Sequence, residues 1–391
     1  MNISLSINTA RIHRIAVSIF FFIAGLTVAT WASRIPDIKT KLQLSEAALG
    51  GVLFALPVGQ LISLPLSGWL ISRFGSRQLV IAAAVFFPLT LILLGIAATI
   101  WQLIIVLFFF GIWANLMNIA MNTQAVGVET LYGKSIMASF HGLWSLAGFS
   151  GAAIANFFVS AELSPLIHFS IIYLLTGLLA FIFYKYTLPD EAEKKTSQPL
   201  FVKPDKSVLL LGLIAFCCMV CEGAMADWSG VYFQNVVMFP AAFTTLGYVA
   251  FMGTMATGRF LGDWLVTKFG IKRILQISGI LIATGLLTLV LFPYLFTAIA
   301  GCLLVGFGVS CVVPVIFGLA GKSSGMSPGL ALAAVSTIGF LGFLIGPPLI
   351  GFIAQATSLR WSFTLIALLG MGTTLLAGKL KSKAAVAQDF V

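Results

Sequence analysis

Twelve apolar runs of about 20 residues, separated by short polar turns, leave a lipid bilayer as the solvent this chain must face. A bilayer core is about 30 Å thick, and about 20 helical residues cross it. A water-soluble chain needs roughly a quarter of its residues charged. Here the charged residues make up 9% and the apolar set 60%. In lipid only helices and closed barrels satisfy every backbone polar group. The runs are continuous rather than alternating with period two, which selects helices. The predicted fold is all-α, with spans at 14–33, 48–72, 79–98, 101–126, 136–159, 165–186, 208–233, 243–266, 274–293, 295–318, 327–356 and 360–378.

The formal charge of +10 is topological rather than a sign of nucleic-acid binding. An even number of crossings puts both termini on one side. That side holds 17 of the 22 Lys and Arg, including Arg11, Arg14, Arg73, Arg77, Lys185 and Lys272. The opposite loops hold Arg34, Lys39, Lys41 and Arg360, and Arg259 lies near a membrane end. Positive charge collects on the cytoplasmic side, so both termini are expected there, in a multi-pass protein of the cell's inner membrane. Arg11, His13 and Arg14 precede an apolar run as in a signal peptide, but no small-x-small site ends it cleanly.

The cysteines, Cys217, Cys218, Cys221, Cys302 and Cys311, all fall inside spans, so no disulfide framework is implied. Cys217 and Cys221 stand one turn apart beside Glu222, a spacing open to a soft metal. Small apolar packing residues are the favoured reading.

Segment 187–207, with Pro189, Pro199, Pro204 and mixed charges, reads as a cytoplasmic linker. It separates a six-helix bundle at 1–186 from another at 208–391. The halves echo each other. Gly68-Trp69-Leu70-Ile71-Ser72-Arg73-Phe74-Gly75 follows the second span, and Asp263-Trp264-Leu265-Val266-Thr267-Lys268-Phe269-Gly270 follows the eighth. Trp31-Ala32-Ser33 and Trp228-Ser229-Gly230 repeat in the first and seventh spans. Duplicated halves are a transporter signature, with the site near the midplane between them.

At these residues the chain resembles a major facilitator superfamily permease. Gly68, Leu70, Arg73, Gly75 and Arg77 match that family's loop signature after its second helix, with Ser72 where the family carries Asp. More narrowly, Asn122-Thr123-Gln124, Ser139-Phe140-His141-Gly142, Glu222-Gly223-Ala224-Met225-Ala226-Asp227 and Gly258-Arg259-Phe260-Leu261-Gly262-Asp263 resemble a bacterial branch grouped loosely with fucose permease. The resemblance implies two pseudo-symmetric bundles rocking about a central site. Gly342, Gly346, Pro347, Pro348 and Gly351 resemble the Gly/Pro-rich signature of drug/proton antiporters, but in the eleventh span rather than the fifth.

Charges inside a bilayer need a partner, water or a proton. Glu222 is the deepest, about 22 Å along its helix from Ser207. It is the first candidate for proton coupling and substrate handling. Asp227 stands about 140° around the same helix, so the two acids do not share a face. Its two readings are a functional acid and a hydrated partner of Arg34.

Asn115, Asn118, Asn122 and Glu129 fall within a stripe of about 60° on the fourth span. The three asparagines are candidates for a solute path, with amide bonds between helices as the alternative. Glu129 is expected to pair with Arg73 or Arg77 at the cytoplasmic gate. His141, placed to meet Asn122 across the hairpin of spans four and five, has two readings, a proton relay and a hydrogen-bonded structural histidine. Among the tryptophans, Trp113 and Trp144 are the deep candidates for a flat wall against a sugar ring. Arg259 and Asp263, four residues apart near the cytoplasmic end of their span, read as a gating pair, with a static staple as the alternative.

No phosphate-binding loop, nucleophile triad, zinc motif or cofactor fingerprint is present, so neither an ATP motor nor an enzyme is expected. The expected activity is secondary transport of a small polar, sugar-like solute by a monomer, driven by a proton gradient and needing no cofactor. Proton-antiport efflux of drugs or metabolites is one alternative. A non-transporting sensor or a lipid scramblase is another.

Overall fold

The computed structural model describes residues 2–133, 136–189, 205–321 and 328–380. Most of the 187–207 linker lies outside the described residues, as do Lys134, Lys194, Lys195, Lys203, Lys322, Lys381 and Lys383. Every described element is helical. The first half contains α1 (Asn2–Ala32), α2 (Ile35–Lys41), α3 (Glu46–Leu53), α4 (Ala55–Ile96), α5 (Ile100–Tyr132), α6 (Met137–Ser160) and α7 (Pro165–Phe183). The second contains α8 (Lys206–Tyr232), α9 (Leu246–Phe269), α10 (Ile271–Leu291), α11 (Leu295–Ser310), α12 (Val312–Ala320), α13 (Pro328–Ala356) and α14 (Leu359–Gly378).

The apolar runs of the sequence fall on these helices, but not one to one: 48–72 is divided between α3 and α4, 79–98 shares α4, and 295–318 is divided between α11 and α12. Among the described residues, ten stretches are long and apolar enough to cross a bilayer. One of them, Glu46–Ile96, is 51 residues long and carries two crossings, because α4 turns back on itself at Gly75. The α9 helix falls short of the same apolarity because Arg259, Asp263 and Lys268 lie along it.

The Phe-Gly repeat is repeated in the backbone. Gly75 has φ 85° and ψ 161°, and Gly270 has φ 78° and ψ 152°. That region is essentially closed to residues with a Cβ, so both turns require glycine. The side chains repeat as well. The Arg73 guanidinium lies over Trp69 and Phe74, and the Lys268 ammonium lies over Trp264 and Phe269. The Trp–Phe pairs cross edge to face at 88° and 90°. Two rings under one cation hold the turn closed without a buried counter-charge.

Within the first half α4 packs on α5 and α7, and α1 on α6; within the second α8 packs on α13 and α14, and α10 on α11 and α14. Two seams join the halves, α3 against α13 and α6 against α9. The end opposite the termini is drawn together. Gln234 Nε2 donates to Thr40 Oγ1 at 3.2 Å, Asn235 Nδ2 to Glu46 Oε1 at 3.0 Å, and Thr245 Oγ1 to Asn156 Oδ1 at 2.6 Å. The Gly/Pro segment of α13 serves this seam: a Cβ on Gly351 would stand 2.6 Å from the Glu46 carbonyl oxygen. Small residues let the two backbones touch.

Helix starts follow ordinary capping chemistry. Asp205 caps α8 by accepting from Val208 N–H at 2.8 Å. That bond, with a second from Ser207, holds its carboxyl below the usual range.

Candidate functional site

A cavity of about 320 Å³ lies between the halves, walled by α1, α4 and α5 with α6 on one side and by α8, α9, α12 and α13 on the other. Asn115, Asn118, His141, Trp144, Glu222, Asp227 and Arg259 all line it. Asn115 is buried, and Asn118, one turn nearer the termini, is exposed, so the cavity reaches solvent from that end. Aromatic and methionine side chains, among them Phe251, Phe340, Phe343 and Met252, fill the rest of the wall.

The electrostatic centre is Arg259. Its Nη2 stands 3.6 Å from Glu222 Oε1, with both side chains mostly buried. Its Nη1 donates to Ser145 Oγ at 2.6 Å, and its guanidinium carbon lies 5.6 Å from the centre of the Trp144 ring. Ser145 is itself fixed, donating to the His141 carbonyl. The α6 helix therefore supplies a cradle: a ring beneath the guanidinium and a hydroxyl at its edge. The Arg259 Nε–H has no acceptor among the described residues.

The sequence-based pairings need correction. Arg259 meets Glu222 rather than Asp263, because α9 turns the arginine toward α8. Asp263 is exposed and makes no ion pair among the described residues. Asp227 does not meet Arg34. That arginine is buried, pairs with Asp37 at 3.2 Å, and donates to His168 Nδ1 and the Leu163 carbonyl. Asp227 lines the cavity without an ion pair or hydrogen bond among the described residues, near Tyr248.

Trp113 is not on the cavity. It stacks on Phe86 at 4.8 Å, and Phe86 is exposed on the outside of the bundle. Trp31, not among the tryptophans expected to be deep, lines the cavity instead. Gln60 and Tyr248 are further polar lining residues that sequence reasoning missed. The Trp31 repeat in the two halves was the signal for the first; nothing in the sequence marked the other two. Asn122 lies off the cavity and donates to the Asn118 carbonyl and Oδ1, while the His141 ring meets Phe21 edge to face at 5.3 Å. Glu129 accepts from Ile136 N–H at 2.7 Å and Met137 N–H at 2.9 Å, an acid placed on the first turn of α6. Arg77 donates to the Lys185 carbonyl. Arg73, Arg77 and Glu129 thus sit at the termini end, away from the cavity. The described residues hold no cluster fit for a metal, and the five cysteines are buried and free.

Comparison with known proteins agrees with this architecture. The profile of the Major Facilitator Superfamily matches residues 16–329. An uncharacterized MFS-type transporter of Yersinia pestis is 35% identical over 357 residues, 91% of this chain and 93% of the relative. The membrane protein MosC of Rhizobium meliloti is 33% identical over 358 residues, 91% of this chain and 87% of its own length. Among solved structures, the nucleoside transporter NupG superposes with a TM-score of 0.76 at 14% identity, covering 93% of this chain and 98% of that one. The chain is therefore a multi-pass membrane transporter, not an enzyme, and belongs to the Major Facilitator Superfamily.

Proposed function

We propose that this protein is a proton-coupled secondary transporter that moves a small polar, sugar-like solute across the inner membrane by alternating access, with both termini in the cytoplasm. The observation that carries the reading is the cavity between the halves, reached from the termini end, tied shut at the far end and holding two carboxyl groups and a guanidinium, those of Glu222, Asp227 and Arg259. A static packing core does not need three such groups in lipid. Glu222 is the coupling acid of this reading. Ionised, it holds Arg259; protonated, it releases it. A group whose partner changes with its charge can bias which side of the site is open, because a ligand shifts an equilibrium only through unequal affinity for its states. Asn115, Asn118 and Trp144 supply hydrogen bonds and a flat wall to the solute.

The second reading is proton-antiport efflux of drugs or metabolites. It is favoured by Met121, Met219, Met252 and Met255 on the cavity wall, since flexible thioethers adapt to varied apolar ligands. Proteoliposomes separate the two. Solute accumulation on the alkaline side of an imposed pH gradient supports symport of a polar solute. Accumulation of apolar dyes on the acidic side supports efflux. No movement of either class under the gradient would exclude proton coupling.

A further inference from the structure

We propose that Arg259 is the solute's anion-binding group, that Glu222 stands in for the solute while the cavity is empty, and that the solute is a polyhydroxylated monocarboxylate. The proposal rests on the proton-coupled reading above and names its substrate class.

The first ground is the geometry at Arg259. An arginine committed to a carboxylate meets it side-on, through two parallel N–H···O bonds. Here a single contact at 3.6 Å joins the pair, and the Nε–H has no acceptor. Trp144 and Ser145 meanwhile hold the guanidinium from α6. The group is positioned by its neighbours and only loosely answered by Glu222, so a better-shaped carboxylate can displace it.

The second ground is the character of the unmet hydrogen bonds. Trp31 Nε1, Asn115 Nδ2 and Arg259 Nε belong to cavity-lining residues, are buried and lack a partner among the described residues. All three are donors. A solute that answers them is rich in acceptor oxygens. Asp227 faces the same cavity without a partner and asks for the opposite, a donor. Hydroxyl groups provide both roles, and a carboxylate provides the acceptor that matches a guanidinium.

The third ground is charge. With Glu222 and Asp227 ionised, the empty site carries one net negative charge. When Glu222 takes a proton from solvent and the solute's carboxylate replaces it on Arg259, the sum is unchanged. The loaded and empty bundles then present equal charge to the low-dielectric interior. A neutral solute would move the sum from −1 to zero and leave Arg259 with no carboxylate in contact once Glu222 is protonated. The other groups near the pair are His141 on α6, Cys218 and Asp227 on α8, Tyr248 and Asp263 on α9 and Cys311 before α12. Only Glu222 among them touches the guanidinium.

The test uses the full chain, purified, with gluconate, the neutral polyol glucitol and the amine glucosamine as probes. Thermal shift and calorimetry are read at mildly acidic and mildly basic pH. Gluconate is expected to bind, more tightly in acid, and glucitol and glucosamine to bind weakly or not at all. Arg259→Gln should weaken gluconate by about tenfold or more. Glu222→Gln should bind gluconate tightly at both pH values, since its neutral amide imitates the protonated acid; this variant decides the matter if Arg259→Gln does not fold. Equal binding of glucitol and gluconate, preference for the amine, no response to gluconate, or an unaltered pH dependence in Glu222→Gln each overturn the proposal. Gradient-driven uptake of glucitol with gluconate ignored would do so while leaving proton-coupled transport intact.

Discussion

Arg259 reaches across from α9 to Glu222 on α8 at 3.6 Å, at the wall of the cavity between the two halves. Both residues belong to the second half, so the pair does not lock the halves together. It sets the charge state of the cavity, and what the first half contributes is Ser145 and Trp144, which hold the guanidinium in place. On the proton-coupled reading proposed above, the link from protonation to conformation would run through α6, which holds the guanidinium and packs against α9.

Glu222→Gln keeps an acceptor oxygen for Arg259 at nearly the same volume but removes the titrating group. Solute exchange between equal concentrations in proteoliposomes should persist, and accumulation driven by a pH gradient should fall to the level without one. A variant that still concentrates solute in response to the gradient removes Glu222 as the obligatory coupling site. Asp227, the unpartnered acid of the cavity, is then the next residue to test.

Asp263→Asn should do little. Its carboxylate is exposed at the termini end of α9, and surface changes of this kind stay within about 0.5 kcal/mol. Transport rate and thermal stability are both expected near wild type. A tenfold loss of transport in Asp263→Asn would show that the acid engages a partner in another state of the cycle.

The span pattern was legible because lipid forces each crossing to be apolar and helical, whatever its neighbours are. The polar stripe of α5 was legible for the same reason: Asn115 and Asn118 cannot face lipid at low cost, and angular position follows from numbering alone. Pairings were not legible. A spacing of four residues puts Asp263 within reach of Arg259, but the rotation of α9 against α8 decides which acid is met, and that depends on packing along the whole seam. Depth was a poor guide for tryptophan. Trp113 has the depth of a site residue, yet its face turns to Phe86 and the outside of the bundle. Trp31 stands at the end of α1 and still lines the cavity. Glu129 was taken for a gate partner of Arg73 or Arg77, and the turn at Gly133 brings it back onto the start of α6 instead.

The charge split between the loops predicts an orientation that the helices alone leave open. Reporter fusions at residue 195, within the linker, and after residue 380 are expected to give cytoplasmic signals, and a fusion at residue 162 a periplasmic one. The His13 ring bonds the Tyr186 carbonyl at 2.7 Å, which places the start of α1 and the end of α7 at the same membrane face. A periplasmic signal from either of the first two fusions would overturn the orientation.

The seam at the far end depends on the approach of α3 to α13. Gly351 has no room for a side chain: its Cβ would meet the Glu46 carbonyl oxygen at 2.6 Å and Gly50 Cα at 2.9 Å. Both obstacles are backbone, so neither can rotate aside, and the two helices must separate. Gly351→Ala is expected to penalise the closed far end by about 1–3 kcal/mol, as overpacking does in a close-packed core. Gly51, next to Gly50 on the same helix, has nothing within 4 Å of its Cβ position, so Gly51→Ala is the matched control. The readout is the labelling rate of a single cysteine at Thr40, which bonds Gln234 across the seam when it is shut. The five native cysteines are replaced for this purpose; all are buried. Gly351→Ala should raise labelling by roughly tenfold, in line with the penalty at 1.4 kcal/mol per decade, and Gly51→Ala should not. Equal labelling in both variants would mean that the close contact of α3 and α13 persists when the far end opens, and the gate would have to be sought along α6 and α9.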